Sequence, residues 1–303
     1  MDRLESMRVF VAVAEAEGFA PAARRLAMSP AAVTRAVAAL EERIGAQLLR
    51  RTTRIVRLTE AGGRFLADCK RILAEIDEAE SSAAGSHAEP RGQLAVTAPV
   101  MFGRMYVAPV ALDFLARHPR VTTRLLFLDR VVDLIDEGLD VAIRIAHLPD
   151  SSLRAVQVGS VRRVVCAAPA YLAARGTPRT PADLARHDAI GFSVGALAEP
   201  WAFAYGETVS PPAQLVVNSN DVAIAAAIAG RGVARVLSYQ IAPELRAGTL
   251  EIVLADFEPP RVPISVVYAE ARRAAAKVRA FVDFAVERFR ADASLDFLKG
   301  ATR

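Results

Sequence analysis

The chain has 303 residues, 53% of them hydrophobic and 24% charged, and a formal net charge of +4. This length allows two or three domains with a large core, and no apolar run approaches the roughly 20 residues that a membrane span needs. The charged N-terminus lacks an apolar signal core, and the two cysteines show no metal-ligand spacing. We therefore expect a cytoplasmic globular protein with no metal, no cofactor and no membrane partner.

The charge is distributed unevenly along the chain. Residues 19–58 contain eight basic and two acidic side chains, whereas residues 59–89 contain three basic and seven acidic ones. A basic N-terminal module on a neutral-to-acidic remainder indicates a polyanionic partner for that module alone.

The first predicted elements are two helices separated by Glu17-Gly18. Residues 19–26 form the second and shorter helix, and Ala27-Met28 is a tight turn after it. The first helix has apolar residues at three- and four-residue spacing, which gives it one buried face. These residues are Leu4, Met7, Phe10, Val11 and Ala14.

The third predicted helix begins at the N-cap Ser29 with Pro30 at its first position, and it ends at Gly45. Val33, Val37, Leu40 and Ile44 form an inward stripe. The opposite face carries Ala31, Thr34 and Arg35. An ordinary amphipathic surface helix is one interpretation. The two short helices and the turn before it favour a helix-turn-helix whose third helix enters a DNA major groove.

Two short apolar strands are predicted within residues 46–58, with Arg51-Thr52-Thr53-Arg54 at their turn. A basic hairpin beside a recognition helix is a wing whose arginines contact phosphates or the minor groove. A solvated run of charges is the alternative.

A long helix follows over residues 59–82. Phe65, Cys69, Ile72 and Ile76 recur at alternating four- and three-residue steps, which is a heptad seam. We expect this helix to pair with the same helix of another subunit. Residues 81–92, with two glycines and a proline, form a linker.

These segments together resemble the DNA-binding domain of the LysR-type transcriptional regulators. The matching segments are residues 10–15, 19–26, 29–35, 39–41, 48–52 and 58–62. The resemblance implies a homodimer or homotetramer that binds double-stranded promoter DNA. The implied DNA contacts are Ser29, Pro30, Ala31, Thr34, Arg35, Arg51, Thr52 and Arg54. The chain departs from the family pattern at Gly18, Pro30 and Ala36, which shifts base reading toward Thr34, Arg35 and the wing.

The rest of the chain alternates short strands with helices, which predicts an α/β fold with a mostly parallel sheet. Predicted helices include residues 102–118, 131–137 and 274–290. The resemblance implies two α/β subdomains of the periplasmic-binding-protein type, with crossovers near residues 160–163 and 267–269. The expected division is a winged helix-turn-helix domain (1–59), a linker helix and hinge (60–92) and an effector-binding domain (93–303). Its subdomain I covers about 93–162 and 269–303, and its subdomain II about 163–268.

Clefts of this kind bind small ligands at the carboxyl ends of strands and at helix N-termini. The expected contacts for a small organic acid are Pro99, Val100, Met101, Phe102, Arg130, Arg144, Asn218 and Asp221. Arg144 has the alternative role of a surface ion pair.

The chain has no His-Glu-x-x-His and no phosphate-loop lysine motif, so we expect no enzyme. The sequence predicts a DNA-binding transcriptional regulator controlled by a small effector. The alternative is a DNA-binding protein whose C-terminal domain serves ligand-independent assembly.

Overall fold

The computed structural model describes residues 2–51, 56–83, 89–193 and 200–295. The chain divides into two compact units, Met1–Ala88 and Glu89–Arg303, and each is described by itself. Within the described ranges, no helix combines the length and the apolar character needed to cross a membrane.

The first unit combines helices with one short hairpin. Its elements are α1 (Arg3–Glu15), α2 (Phe19–Arg25), α3 (Pro30–Ile44), β1 (Leu49–Arg51), β2 (Val56–Leu58) and α4 (Glu60–Ala83). Glu17 and Ala27 adopt positive φ angles of 48° and 53° at the two predicted breaks. The three helices and the two strands of the hairpin are therefore present as predicted, whereas residues 52–55, which include most of the predicted turn, lie outside the described residues.

The buried face of α1 is wider than the predicted stripe. Met7 and Phe10 are buried as expected, but Leu4, Val11 and Ala14 are only half-buried. The other buried residues of α1 are Ser6, Val9, Ala12 and Val13. Because α1 packs against α2, α3 and α4 at once, it needs more than one apolar stripe.

The ends of α3 are those that the sequence predicts. The Ser29 Oγ accepts a hydrogen bond from the Ala32 N–H at 3.2 Å, Pro30 is the first helical residue, and Gly45 is left-handed with φ 73°. Val33, Val37 and Leu40 are buried. Ile44 was expected on the same inward stripe, but it is 39% exposed because it lies in the last position before the chain turns away.

The second unit contains two five-stranded sheets. Its strands are β3 (Gly92–Ala98), β4 (Val121–Phe127), β5 (Val141–Ile145), β6 (Leu153–Val161), β7 (Arg163–Ala167), β8 (Ala189–Phe192), β9 (Trp201–Ala202), β10 (Thr208–Val209), β11 (Ala213–Val217), β12 (Val233–Leu237), β13 (Glu251–Val253) and β14 (Val262–Ala269). Sheet I has the order β4-β3-β5-β14-β6, sheet II has the order β11-β8-β12-β7-β13, and β9 pairs with β10 in a hairpin.

Both sheets are mixed rather than mostly parallel. In sheet I, β3 runs parallel to β4 and β5, whereas β14 runs antiparallel to β5 and β6. Sheet II repeats this arrangement, because β8 is parallel to β11 and β12 while β7 is antiparallel to β12 and β13. The prediction of a mostly parallel sheet is therefore wrong. In each sheet, the strand that makes the antiparallel pairs follows a crossing of the chain from the other sheet. This strand is β14 in sheet I and β7 in sheet II.

The helices of the second unit cover the two sheets. They are α5 (Val100–Phe102), α6 (Ala108–Arg117), α7 (Pro169–Arg175), α8 (Asn220–Ile228), α9 (Ala242–Ala247) and α10 (Ala276–Ala291). A π-helical segment, Gly103–Val107, joins α5 to α6. One continuous apolar cluster reaches residues of both sheets, and the Phe102 and Tyr239 rings meet at 5.4 Å within it.

A helix predicted at residues 131–137 is absent, and a turn stands in its place. The Asp133 Oδ1 accepts hydrogen bonds from the Ile135 and Asp136 N–H groups at 2.8 and 3.0 Å. A side chain that bonds the following backbone in this way competes with helix formation. The apolar residues Val132 and Leu134 are buried against sheet I.

The chain crosses between the sheets at two places. The first crossing lies at Arg162, between the end of β6 and the start of β7, within the predicted range. The second lies between Val253 and Val262. The prediction of residues 267–269 is wrong, because Val267 is paired with both Ala142 and Ala155 inside sheet I.

Candidate nucleic-acid surface and ligand cavity

The outer face at the start of α3 is made of small and polar residues. Ser29, Pro30, Ala31 and Arg35 are exposed, and Thr34 is half-buried. Within the described part of the chain, the Arg35 guanidinium has neither an ion-pair nor a hydrogen-bond partner. Because the side chains around this unpaired guanidinium are small, the start of α3 can approach a polyanion closely.

The hairpin places two arginines opposite each other. Arg50 in β1 and Arg57 in β2 are cross-strand partners, and both are exposed. Like charges directly opposite each other destabilise a strand pair, so this arrangement favours an external anion that neutralises both. Neither arginine was among the DNA contacts expected from the sequence. Of those contacts, Arg51 belongs to β1 opposite Val56, whereas Thr52 and Arg54 lie outside the described residues.

Glu41 joins the end of α3 to this hairpin. Its Oε1 accepts hydrogen bonds from the Leu48 and Leu49 N–H groups at 2.8 and 3.0 Å. In the sequence, Glu41 is one of two acidic residues in the basic segment and belongs to the matching segment 39–41, and neither feature indicates this contact. These two hydrogen bonds fix the start of β1 relative to the end of α3.

The heptad residues of α4 divide into two groups. The Phe65 ring lies 5.7 Å from the Phe10 ring, and Cys69 is fully buried in the same apolar cluster of the first unit. Burial raises the pKa of the Cys69 thiol to about 11. These two residues thus pack against their own chain, which heptad spacing alone did not predict. Ile72 and Ile76 are half-buried and do not belong to that cluster.

A cavity of about 260 Å³ lies between the two sheets of the second unit. The carboxyl ends of the parallel strands from both sheets converge on it, which is where open α/β sheets bind ligands. The residues that line it are Pro99, Asp129, Ile145, Arg163, Phe192, Trp201, Asn220, Arg235, Val236, Leu237, Tyr239 and Gln240. The segments after β3, β4 and β11, from which most of the expected effector contacts come, therefore converge on this cavity.

Most of the residues expected to contact an effector are elsewhere. Pro99 lines the cavity, but Val100, Met101 and Phe102 do not. Met101 and Phe102 are buried, with the Phe102 ring stacked on Tyr106 at a centroid distance of 4.7 Å. The helix that follows β3 turns these side chains into the core, so they support the cavity wall from behind.

The two arginines expected in the cavity lie outside it. Arg130 forms a two-bond ion pair with Glu137 at 2.7 and 3.0 Å. The Arg144 Nη2 donates a hydrogen bond to the Val132 carbonyl oxygen at 3.0 Å, and burial lowers the pKa of Arg144. Arg144 thus has neither expected role, since it binds a backbone carbonyl.

The segment before α8 contributes a different residue from those predicted. Asn220 lines the cavity, whereas Asn218 is exposed and is not part of the wall. Asp221 forms an exposed ion pair with Arg104 at 2.9 Å. This pair joins α8, which packs on sheet II, to the π-helical segment that follows β3 of sheet I.

The charged residues that do line the cavity are Arg163, Arg235 and Asp129. Arg163 is the first residue after the first crossing, and Arg235 is the middle residue of β12. Arg163 lies within the crossover range 160–163 that the family resemblance implies, but that range does not indicate which of its side chains faces the cavity. The Asp129 Oδ1 accepts a hydrogen bond from the Val100 N–H at 3.0 Å, so this carboxylate caps the helix that begins there.

An ion pair links the two crossing segments. The Arg162 Nη1 lies 3.2 Å from the Glu258 Oε1, and the Arg162 N–H donates to the Ser238 Oγ at 3.2 Å. Only 13% of the Glu258 side chain is exposed. Burial raises the pKa of Glu258 above its ordinary value of 4.5, although Arg162 and Arg261 act in the opposite direction.

The raised pKa of Glu258 predicts how stability changes with pH. Because the folded protein holds the proton more tightly than the unfolded chain, this group stabilises the fold fully at low pH. That contribution is lost as the pH rises through the folded pKa.

We expect Glu258→Gln to unfold at the same or a higher temperature than the parent at pH 7, and any gain in unfolding temperature to disappear at acidic pH. Thermal unfolding across this pH range measures it, with Glu270→Gln at the exposed Arg154 pair as control. A lower unfolding temperature for Glu258→Gln at pH 7 would contradict it.

Residues 191–195 read Gly-Phe-Ser-Val-Gly, the spacing of a hydrolase nucleophile turn, which the prediction of a non-enzyme overlooked. Such a turn exposes its serine between a strand and a helix. Here Ser193 is buried, and the next described element along the chain is the strand β9. His187 lies at the other end of β8, with its Nδ1 3.3 Å from the Tyr171 hydroxyl. The burial of Ser193 and the position of His187 therefore differ from those of a nucleophile turn.

Comparison with known proteins identifies both units. Residues 4–63 match the bacterial regulatory helix-turn-helix protein model of the lysR family, and residues 87–290 match the LysR substrate binding domain model. The chain is 35% identical to an HTH-type transcriptional repressor of Pseudomonas aeruginosa, over 95% of this chain and 93% of the relative. It is 32% identical to the HTH-type transcriptional activator AaeR of Escherichia coli, over 95% and 94% of the two chains.

A solved structure gives the same result. The structure of CrgA, a LysR-type transcriptional regulator from Neisseria meningitidis, matches with a TM-score of 0.60 and 33% identity, over 94% of this chain and 98% of that one. The helix-turn-helix unit, the paired α/β sheets and these relatives lead to one conclusion. The chain belongs to the LysR family of transcriptional regulators, with a helix-turn-helix DNA-binding domain and a LysR substrate binding domain.

Proposed function

We propose that the chain binds a specific double-stranded promoter sequence by inserting the start of α3 into the major groove. In this proposal Ser29, Pro30, Ala31, Thr34 and Arg35 face the bases. The observation that carries it is the exposed Arg35 guanidinium, which has no partner in the described part of the chain and stands among small residues. A guanidinium on such a face can bond a guanine edge in the groove.

The hairpin supplies the contacts that do not depend on sequence. Arg50 and Arg57 oppose each other across its strands and gain from phosphates on the same side. Arg51, Thr52 and Arg54 belong to the same proposed wing. Phosphate contacts set the affinity and its salt dependence, whereas base contacts set the sequence preference.

In this proposal the helix-turn-helix units of two chains bind DNA as a pair, and the protein is a homodimer or a homotetramer. Ile72 and Ile76 are β-branched, half-buried and outside the apolar cluster of their own unit. They are the residues of the heptad seam that remain available for a second α4 helix.

A small organic acid in the cavity modulates DNA binding in this proposal. The cavity wall takes Pro99, Asp129 and Ile145 from the sheet I side and its other residues from the sheet II side. A ligand that contacts both sides favours one arrangement of the two sheets. A preference of about 1–3 kcal/mol is the usual size of such coupling between two sites.

Two matched arginine variants test the DNA-binding surface. Arg35→Ala should weaken binding to the cognate site by about 1–3 kcal/mol and leave binding to random DNA nearly unchanged. Arg57→Ala should weaken binding to both and lower the salt slope by about one. Fluorescence anisotropy with a footprinted site upstream of the gene and with a scrambled duplex gives both quantities at several salt concentrations.

The opposite pattern would overturn these assignments. Equal losses on cognate and random DNA for Arg35→Ala would make Arg35 a phosphate contact. A footprint that no small acid shifts would favour the alternative, a DNA-binding protein whose second unit serves assembly alone.

A further inference from the structure

The Arg163 guanidinium is an uncompensated charge in the wall of the cavity. Its side chain is half-buried at the first position of β7. Throughout the described ranges, it forms neither an ion pair nor a hydrogen bond with another residue. Withdrawing a guanidinium from water without a partner is costly, and the planar group matches a carboxylate with two parallel hydrogen bonds.

Arg235, the second cation of the wall, is held in place by neighbouring groups. Its Nη1 and Nη2 donate to the carbonyl oxygens of Ala202 and Pro200 at 3.2 and 3.3 Å. Its guanidinium also lies 5.7 Å from the centre of the Trp201 ring. Arg235 therefore adds a fixed positive charge to the cavity while its planar group is already engaged.

Asp129 limits the charge that the cavity accepts. It is the one carboxylate among the described lining residues, and only its Oδ1 is engaged, by the Val100 N–H. With Arg163 and Arg235 it gives the described wall a formal charge of +1. A single negative charge balances this wall, whereas a second carboxylate on the ligand would be repelled by Asp129.

The remaining wall combines apolar and aromatic side chains with the polar groups of Asn220 and Gln240. Ile145, Phe192, Trp201, Val236, Leu237 and Tyr239 contribute to it. The volume of about 260 Å³ falls just below the range of about 300–1,000 Å³ that is typical of sites for drug-sized ligands. The volume therefore suits a compact ligand, and the Phe192 and Trp201 side chains offer apolar contact to a flat body.

We propose, building on the effector role argued above, that the cavity binds a monocarboxylate with a flat apolar body and that Arg163 pairs with its carboxylate. Trp201 and Phe192 contact the apolar body. Asp129 makes the site selective for one negative charge over two. Since Arg163 directly follows the crossing at Arg162, the charge of the ligand is bound next to the segment that joins the two sheets.

Three related probes test this proposal: benzoate, its uncharged analogue benzamide, and the dianion phthalate. Isothermal titration calorimetry with the full chain at pH 7 should give a Kd of about 0.1–1 mM for benzoate. Benzamide and phthalate should bind at least about tenfold more weakly, since the first lacks the charge and the second meets Asp129.

Two variants assign these effects to residues. Arg163→Gln should raise the benzoate Kd about 10- to 100-fold. Arg246→Gln, at an exposed arginine of α9 that bonds the Ala242 carbonyl oxygen, is the control and should bind benzoate like the parent. Asp129→Asn keeps an oxygen for the Val100 N–H and should bring the phthalate Kd close to that of benzoate.

Benzoate binding that survives in Arg163→Gln, or equal affinity of the parent for benzoate and benzamide, would overturn the proposal. The absence of measurable benzoate binding to the parent would overturn it as well. Binding of the parent to its upstream DNA, measured in parallel, reports on the DNA-binding function independently. A parent that binds DNA but ignores all three probes would refute this inference alone.

Discussion

Gly62→Ala is expected to destabilise the DNA-binding unit by about 3 kcal/mol, because a side chain at this position has no space. Gly62 is buried in the first turn of α4, and a Cβ built on it overlaps the carbonyl oxygen of Leu48. That oxygen accepts the Thr59 N–H at 3.0 Å, and the Thr59 Oγ1 accepts the Gly62 N–H at 2.9 Å. The extra methyl group therefore pushes on the backbone where α4 meets the hairpin.

The neighbouring glycine supplies a matched control. Gly63 is also helical, and a Cβ built on it meets no atom within 4 Å. Gly63→Ala should stabilise the helix by up to about 1 kcal/mol, since alanine is the better helix former. Urea unfolding monitored by circular dichroism compares the two variants. Similar stabilities would show that the contact at Leu48 relaxes without cost.

Ile72→Glu is expected to abolish specific DNA binding while both units remain folded. In the proposed dimer, Ile72 packs against a second α4, and an unpaired carboxylate buried there is costly. Loss of pairing removes one of two half-site contacts, so affinity for a two-part site should fall by orders of magnitude. Sedimentation velocity and anisotropy measure the two effects together.

A second added carboxylate separates the seam from a general effect of charge. Ala67 is exposed on the same helix, and Ala67→Glu should keep both the assembly and the DNA affinity of the parent. If Ile72→Glu sediments and binds like Ala67→Glu, then Ile72 does not lie in an interface between subunits.

The helix-turn-helix unit could be predicted from sequence because local chemistry specifies each of its boundaries. Ser29, Pro30 and Gly45 determine the ends of α3 through a side-chain cap, a fixed φ angle and a left-handed residue. These signals act over three or four residues and do not depend on distant packing. The heptad spacing of α4 is a weaker signal, because spacing does not say which partner an apolar face meets.

The mixed sheets were missed because antiparallel partners come from distant parts of the chain. Strand β6 contains Arg154, Gln157 and Gly159, which interrupt any apolar pattern. Its pairing with β14 also shifts register between Ile264 and Ser265. Gly159 is required there, since a Cβ would come within 2.7 Å of the Leu295 carbonyl oxygen. Contacts of such long range leave no local trace in the sequence.

The cavity could be located from sequence, but the arginines that line it could not. The sequence identifies the segments that end the parallel strands, and Pro99, Asp129 and Asn220 come from those segments. Which arginine faces inward depends on the alternation of side chains along each strand. Arg144 lies in β5 and Arg163 in β7, and only the tertiary pairing of these strands determines that Arg163, and not Arg144, lines the cavity.

The position of β14 in sheet I affects how a ribosome-bound chain acquires its structure. Among the described strands, β6 pairs with β14 alone, and β14 begins about one hundred residues after β6 ends. During synthesis the edge of β5 and both edges of β6 therefore stay open while the whole of sheet II is made. Sheet II has all five of its strands before β14 emerges, so it can form first. Until β14 has been synthesised, sheet I is incomplete. Its unpaired strand edges can then pair with another chain, so this is the stage most prone to aggregation.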